Sequence, residues 1–246
     1  MQINLKNIVN LQSLFKYVIF LILLLFPSIA FSEVIAYDMV ALKGNEIMLT
    51  AETKGKFFKK GGEVVEFFIN GKSIGKSLSG GDGYAFKQFL PLKTGMYKIT
   101  VKSDKEKDNG LLLSLQKGAR IVFIDVEGSL IRGVFSMKPE TGSQKIIKKI
   151  SSQHPVIFLQ TGLFSTHAIK NWLKENGFID LPVMPWKEGL IFDEISEKGL
   201  KIKAVIGSSQ VIDSARAYKP KAFSFGEADD AEEVSDWEEI GKKIGN

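Results

Sequence analysis

Asp125 and Glu127 stand at the end of an apolar run, in RIVFIDVEGSL. At the carboxyl end of a strand, two acids spaced i, i+2 face the same way. One carboxylate can then attack a phosphorus or bind a cation while the other delivers a proton to a leaving oxygen. Gly128 lets the chain turn sharply behind them. The alternative for such a sequence is an ordinary strand stopping in an acidic turn, so the elements around it carry the distinction.

From Arg120 onward strand and helix alternate. The runs RIVFID, PVIFLQT, LPVMPW, IKAVIG and KAFSFG read as strands. GSQKIIKKISSQ, STHAIKNWLKENG, EGLIFDEISEKG, VIDSARAY and SDWEEIGKKI read as helices between and after them. Strands that are apolar throughout, each followed by an amphipathic helix, predict a parallel sheet covered on both faces. Five of them make a doubly wound α/β domain over residues 118–246, whose chemistry collects at the carboxyl ends of the strands. Residues 33–117 change register every eight to twelve residues and are separated by glycine turns such as KKGG and SGGDG. Six or seven short strands predict an antiparallel β-sandwich. INGKSIG predicts a hairpin with Asn70-Gly71 at its turn. KSDKEKDNG reads as a charge-rich bend before a last strand, LLLSLQ, and the boundary falls near Lys117.

Two resemblances follow. GGEVVEFFINGKSIGKSLSGGDGYAFKQFLPLKTGMYKITV resembles the bacterial immunoglobulin-like modules of exported proteins, in its order of strands and turns. IVFIDVEGSL resembles the first motif of the haloacid dehalogenase-like (HAD) phosphatases, an apolar strand followed by D-x-D-G-T/S-L. That resemblance implies Asp125 as nucleophile, Glu127 as general acid/base and a Mg2+ held by Asp125, the Glu127 carbonyl and Asp213. It implies Thr161, in PVIFLQTG, as the hydroxyl that binds a phosphoryl oxygen, with Gly128 and Gly162 leaving amides open to the anion. It also implies a lysine against the phosphate: Lys187, in PWKEGLIFDEI, with Lys198 second. VIGSSQVIDSA is closest to the G-D-S-G-x-x-D form of the lipin and actin-patch phosphatidate phosphatases, with Ser208 where the pattern has its first acid. A hydroxyl is a poorer ligand for a hard dication than a carboxylate. Glu227, Asp229 and Asp230, in FGEADDAEE, are the candidates to replace it. No large cap fits between Leu130 and the first helix, which implies an open site and a large substrate.

Composition narrows the partners. Of the 33 basic residues, Lys6 and Lys16 lie in the N-terminal segment, which leaves 31 against 28 acids. So weak and even a charge excludes nucleic acid. KYVIFLILLLFPSIAFSEV, with its apolar run and Ala30-Phe31-Ser32, reads as a signal peptide over residues 1–32. The alternative is an uncleaved anchor, although the run is shorter than the ~20 residues of a span. The expected location is periplasmic or secreted. With no cysteine in the chain, packing alone must stabilise it. His154 and His167 are read as loop and helix-start residues, and Trp172, Trp186 and Trp237 as core.

Two readings stand. One is an exported Mg2+-dependent phosphatase acting on a phosphorylated substrate through an aspartyl-phosphate; a lipid substrate would bring it to a membrane surface. The other is a catalytically inactive domain of the same fold, binding an anionic ligand or an envelope protein partner.

Overall fold

The computed structural model describes residues 33–56, 58–131 and 137–244; the expected signal peptide lies outside them. The chain switches sheets almost at once. Strand β1 (Glu33–Ala36) pairs antiparallel with β3 (Ile47–Lys54), which pairs with β6 (Tyr84–Phe89). Strand β2 (Met39–Leu42) instead runs parallel to β8 (Glu106–Leu115) in the facing sheet. That sheet is completed by β7 (Gly95–Ser103), β4 (Val64–Ile69) and β5 (Lys72–Leu78), in the order β2-β8-β7-β4-β5. Leu49, Phe67, Ile99, Val101 and Leu112 fill the space between the sheets. The β4–β5 hairpin turns at Asn70 and Gly71, whose φ of 50° and 82° is the left-handed pair that Asn-Gly supplies.

Two details differ from the sequence reading. Among the described residues the sandwich has eight strands, because the first segment splits between sheets at Tyr37 and Asp38. The charge-rich KSDKEKDNG is mostly strand: Ser103 pairs with Glu106 across a turn at Asp104 and Lys105, and the ladder continues to Gly110. From Glu106 to Asn109 the side chains are exposed or half-buried, so charged residues suit the strand.

Beyond a turn at Gln116–Ala119 the second unit begins. Its sheet contains β9 (Arg120–Asp125), β10 (Val156–Gln160), β11 (Val183–Pro185), β12 (Lys201–Ile206), β13 (Lys221–Ser224) and β14 (Glu232–Glu233), all parallel. The order is β11-β10-β9-β12-β13-β14, with the topological switch between β9 and β12. The sixth strand, only two residues long, escaped the sequence reading. Helices α1 (Val126–Ser129), α2 (Ser143–Ser151), α3 (Thr166–Glu175), α4 (Leu190–Glu197), α5 (Ser209–Ala215) and α6 (Trp237–Ile244) complete the unit. Alternate residues of β9 serve different layers. Val122 and Ile124 meet α2, α3 and α6 through Ile147, Trp172 and Trp237, while Ile121 and Phe123 meet α4 and α5 through Phe192 and Val211. This two-sided burial is why the strand is apolar throughout Ile121–Ile124.

The second layer also takes Val40, Leu113 and Leu115 from the sandwich, so the two units share a core. Asp38, between β1 and β2, clasps the seam: it accepts hydrogen bonds from Leu111 N (2.7 Å) on β8, Val183 N (2.7 Å) on β11 and Lys170 Nζ (2.6 Å) on α3. Burial pushes its carboxyl above the usual range, although Lys170 and the two amides pull it down.

Candidate functional site

The carboxyl ends of β9, β10 and β12 meet at the switch point, and Asp125 lies at their junction. Asp125 closes β9 and caps the single turn of α1, a position an aspartate favours because its oxygen satisfies a free amide. Oδ1 accepts from Gly128 N (2.9 Å) and Thr161 Oγ1 (2.6 Å). Oδ2 accepts from Ser208 Oγ (2.9 Å) and Ser208 N (3.2 Å). The residue is 0% exposed. A carboxylate offers about four lone-pair positions, and donors from three strand ends occupy them.

Glu127, two residues on, is half-buried and also heavily engaged. Its Oε2 accepts from Thr161 N (2.9 Å) and Gly162 N (2.5 Å), and its Oε1 from Phe164 N (3.2 Å). These are the amides that the sequence reading left open to an incoming anion. The anion they hold is the protein's own.

Three glycines make this closeness feasible, each for want of a side chain rather than for its φ. A Cβ on Gly128 or Gly207 would strike Asp125, and one on Gly162 would strike the Glu127 carboxylate. On Gly207 it would lie 2.5 Å from Asp125 Cβ, an atom that cannot swing aside. Gly207→Ala should therefore cost about 1–3 kcal/mol of stability as an overpacked site. Gly162→Ala should cost less, because the end of a side chain can move. Paired chemical denaturation of the two variants checks that order.

The predicted residues are brought together only in part. Asp125, Glu127, Thr161, Gly128 and Gly162 converge, joined by Ser208, which the sequence reading took for a lost ligand and which instead donates twice to Asp125. Lys187 does not join them: half exposed, it pairs with Glu194 (3.3 Å). Lys198 Nζ turns to the Glu194 carbonyl of its own helix. Asp213 is also a correction. It lies on the exposed side of α5 and pairs with Arg216 (3.2 Å), which binds Asp230 as well (2.7 Å). Glu227 and Asp229 are exposed.

Nor does this donor set fit Mg2+. A hard dication needs acceptor oxygens turned toward it, whereas every group around Asp125 and Glu127 turns an N–H or O–H inward. No cluster of three or more His, Asp or Glu gathers among the described residues. No step through a metal follows from this arrangement.

The histidines lie apart from the cluster. His154, before Pro155, has its imidazole held below the usual range by burial and by Lys203 and Arg120. His167 is exposed and lines a cleft of about 460 Å³ between the sandwich and α3. Trp172 and Trp237 are buried, and Trp186 is half-buried with Nε1 on Ser214 Oγ (3.0 Å). Among the described residues no helix is long and apolar enough to cross a membrane.

No protein-family model matches the chain, and no curated protein does. Solved structures that match include the fibronectin(III)-like modules of Clostridium thermocellum CbhA, at 18% identity and a TM-score of 0.28, covering 37% of this chain and 50% of that one. The D00-D0 domain of intimin matches at 18% identity and 0.29, over 34% and 46%. Titin domain I10 matches at 9% identity and 0.28, over 35% of this chain and 99% of that one. The chain thus spans about half the length of the first two. These are fibronectin- or immunoglobulin-like sandwich modules, and none of the three supports the HAD resemblance. The expectation of a phosphatase of that family, active or inactive, is overturned. The donor-filled carboxylates, the Mg2+ misfit and the placement of Lys187 and Asp213 give the physical reason.

Proposed function

We propose that the protein is an exported module that acts by binding in the cell envelope rather than by turnover, its sandwich built onto an α/β unit that serves as structural support. The observation that carries this reading is the saturation of Asp125 and Glu127: seven donors are directed at two carboxylates that would otherwise have been the reactive groups. A nucleophile or proton shuttle needs an accessible lone pair. Here the lone pairs lace the ends of β9, β10 and β12. Export, to the periplasm or beyond it, is supported by the N-terminal sequence, and the partner on this reading is another envelope component.

The sign of a stability change tests the proposal. Groups kept for reaction are commonly destabilising, and replacing them tends to stabilise the fold. Glu127→Gln turns an NH2 toward either one or two backbone donors. A structural role predicts a loss of about 1–3 kcal/mol in chemical denaturation. A gain in stability would overturn the reading.

A further inference from the structure

The amino edge of the parallel sheet, opposite the Asp125 cluster, gathers positive charge. Arg120 opens β9, Lys201 opens β12 and Lys221 opens β13, which are neighbouring strands. Arg120 lies directly across from Lys201, and Lys221 across from Ala204. Lys203 sits between these rungs, where the β9–β12 register shifts, and such a bulge re-aims a side chain. Arg120, Lys201 and Lys221 are exposed, and Lys203 is half-buried. Lys219, shortly before β13, adds a further charge. With Arg120, Lys201, Ser196 and Tyr218 it lines a depression of about 430 Å³.

Acids do not balance this edge. Among the described residues none of these five cations pairs with a carboxylate. Lys221 Nζ reaches the Lys243 carbonyl (3.0 Å), a neutral acceptor. The acids at this end serve other groups: Asp193 accepts the Tyr218 hydroxyl, with Glu197 acting on the same phenol, and Glu232 pairs with Lys243. The crowding is felt locally. Burial, Arg120 and Lys221 hold the Lys203 ammonium below its usual range, and burial, Lys203 and Arg120 do the same to the His154 imidazole. Like charges facing one another across a ladder cost stability. A unit that only supported the sandwich would gain from an acid here.

We propose that this edge binds an anion carrying several linked phosphoryl groups, as a phosphate-rich polymer of the envelope does. Arg120 offers its planar fork to one phosphoryl group, while the point charges of Lys201, Lys203 and Lys221 meet its neighbours. Adjacent strands stand ~4.8 Å apart, so a row across β9, β12 and β13 suits linked groups better than a single one. This gives the α/β unit a contact of its own, beyond support, and it stands whatever Asp125 and Glu127 do. Only the envelope as the source of the ligand rests on the proposed function.

The two histidines of the chain report on the site. In the full chain, carrying isotope-labelled histidine, both imidazoles are titrated by NMR with and without tripolyphosphate. A bound anion offsets Lys203 and Arg120, so His154 should rise toward its ordinary range. His167, exposed on α3, should stay where it is. Lys203→Gln should weaken tripolyphosphate binding about fivefold, and Arg120→Gln about tenfold. Lys76→Gln, the same change of charge on β5, should leave it unchanged. Orthophosphate should bind about tenfold more weakly than tripolyphosphate. An unmoved His154, or equal movement of both histidines, overturns the proposal. So does an equal loss from Lys76→Gln and Lys203→Gln, which would mean general attraction to a basic protein. Orthophosphate binding as tightly as tripolyphosphate also overturns it, leaving a site for one phosphoryl group.

Discussion

Asp125→Asn lowers the stability of the protein by about 3 kcal/mol, although it conserves volume and removes a buried charge. The reason is the distribution of donors. Each carboxylate oxygen receives one hydroxyl and one backbone amide: Thr161 and Gly128 on Oδ1, Ser208 Oγ and N on Oδ2. A hydroxyl can rotate to accept from a new NH2, but a backbone N–H cannot. Whichever way the Asn amide is turned, its nitrogen faces a fixed donor, at a residue that is fully buried. Urea or thermal unfolding measures the loss, with Asp213→Asn as the internal comparison. Asp213 pairs with Arg216 at the surface, so that change should stay within about 1 kcal/mol. Equal effects from the two variants, or a gain from Asp125→Asn, would refute the structural role of Asp125.

Asp38→Ala should weaken the seam between the units by about 2–4 kcal/mol. It strips the amides of Leu111 and Val183 of their buried acceptor and leaves Lys170, a quarter exposed, to turn toward solvent. The pH dependence has a definite sign. Because burial raises the Asp38 carboxyl in the folded state, the folded chain binds this proton more tightly than the unfolded one. Its contribution is therefore greatest below the unfolded value, near pH 4. It declines as pH rises through the raised folded value, and is level beyond it. The stability difference between parent and Asp38→Ala, from urea midpoints in steps upward from pH 4, should shrink. A difference that grows with pH would mean that Lys170 and the two amides outweigh burial.

Much of the architecture was legible because local patterns report burial. RIVFID and PVIFLQ are apolar at every position from Ile121 to Ile124 and from Val156 to Leu159, which only a strand covered on both faces tolerates. INGK carries its hairpin in two residues that accept positive φ. What stayed hidden depended on distant chain. Nothing near Tyr37 and Asp38 announces that β1 and β2 belong to different sheets, and the two-residue β14 has no period to read. At the strand ends the sequence brought Asp125, Glu127 and Thr161 into one neighbourhood correctly. It misjudged Lys187 and Asp213, because being near a strand end in sequence does not settle which way a side chain leaves its helix.

The sequence by itself determined that acids and small residues gather where parallel strands end, since strand, turn and helix periods are local properties. Only the tertiary structure decided what the acids do. Thr161, Gly162, Phe164 and Ser208 lie roughly 35 to 80 residues away from Asp125 and Glu127 along the chain, and their donors reach the carboxylates only once the sheet has formed. A carboxylate is reactive or structural according to whether its lone pairs face open space or fixed donors, and that is a property of the assembled fold.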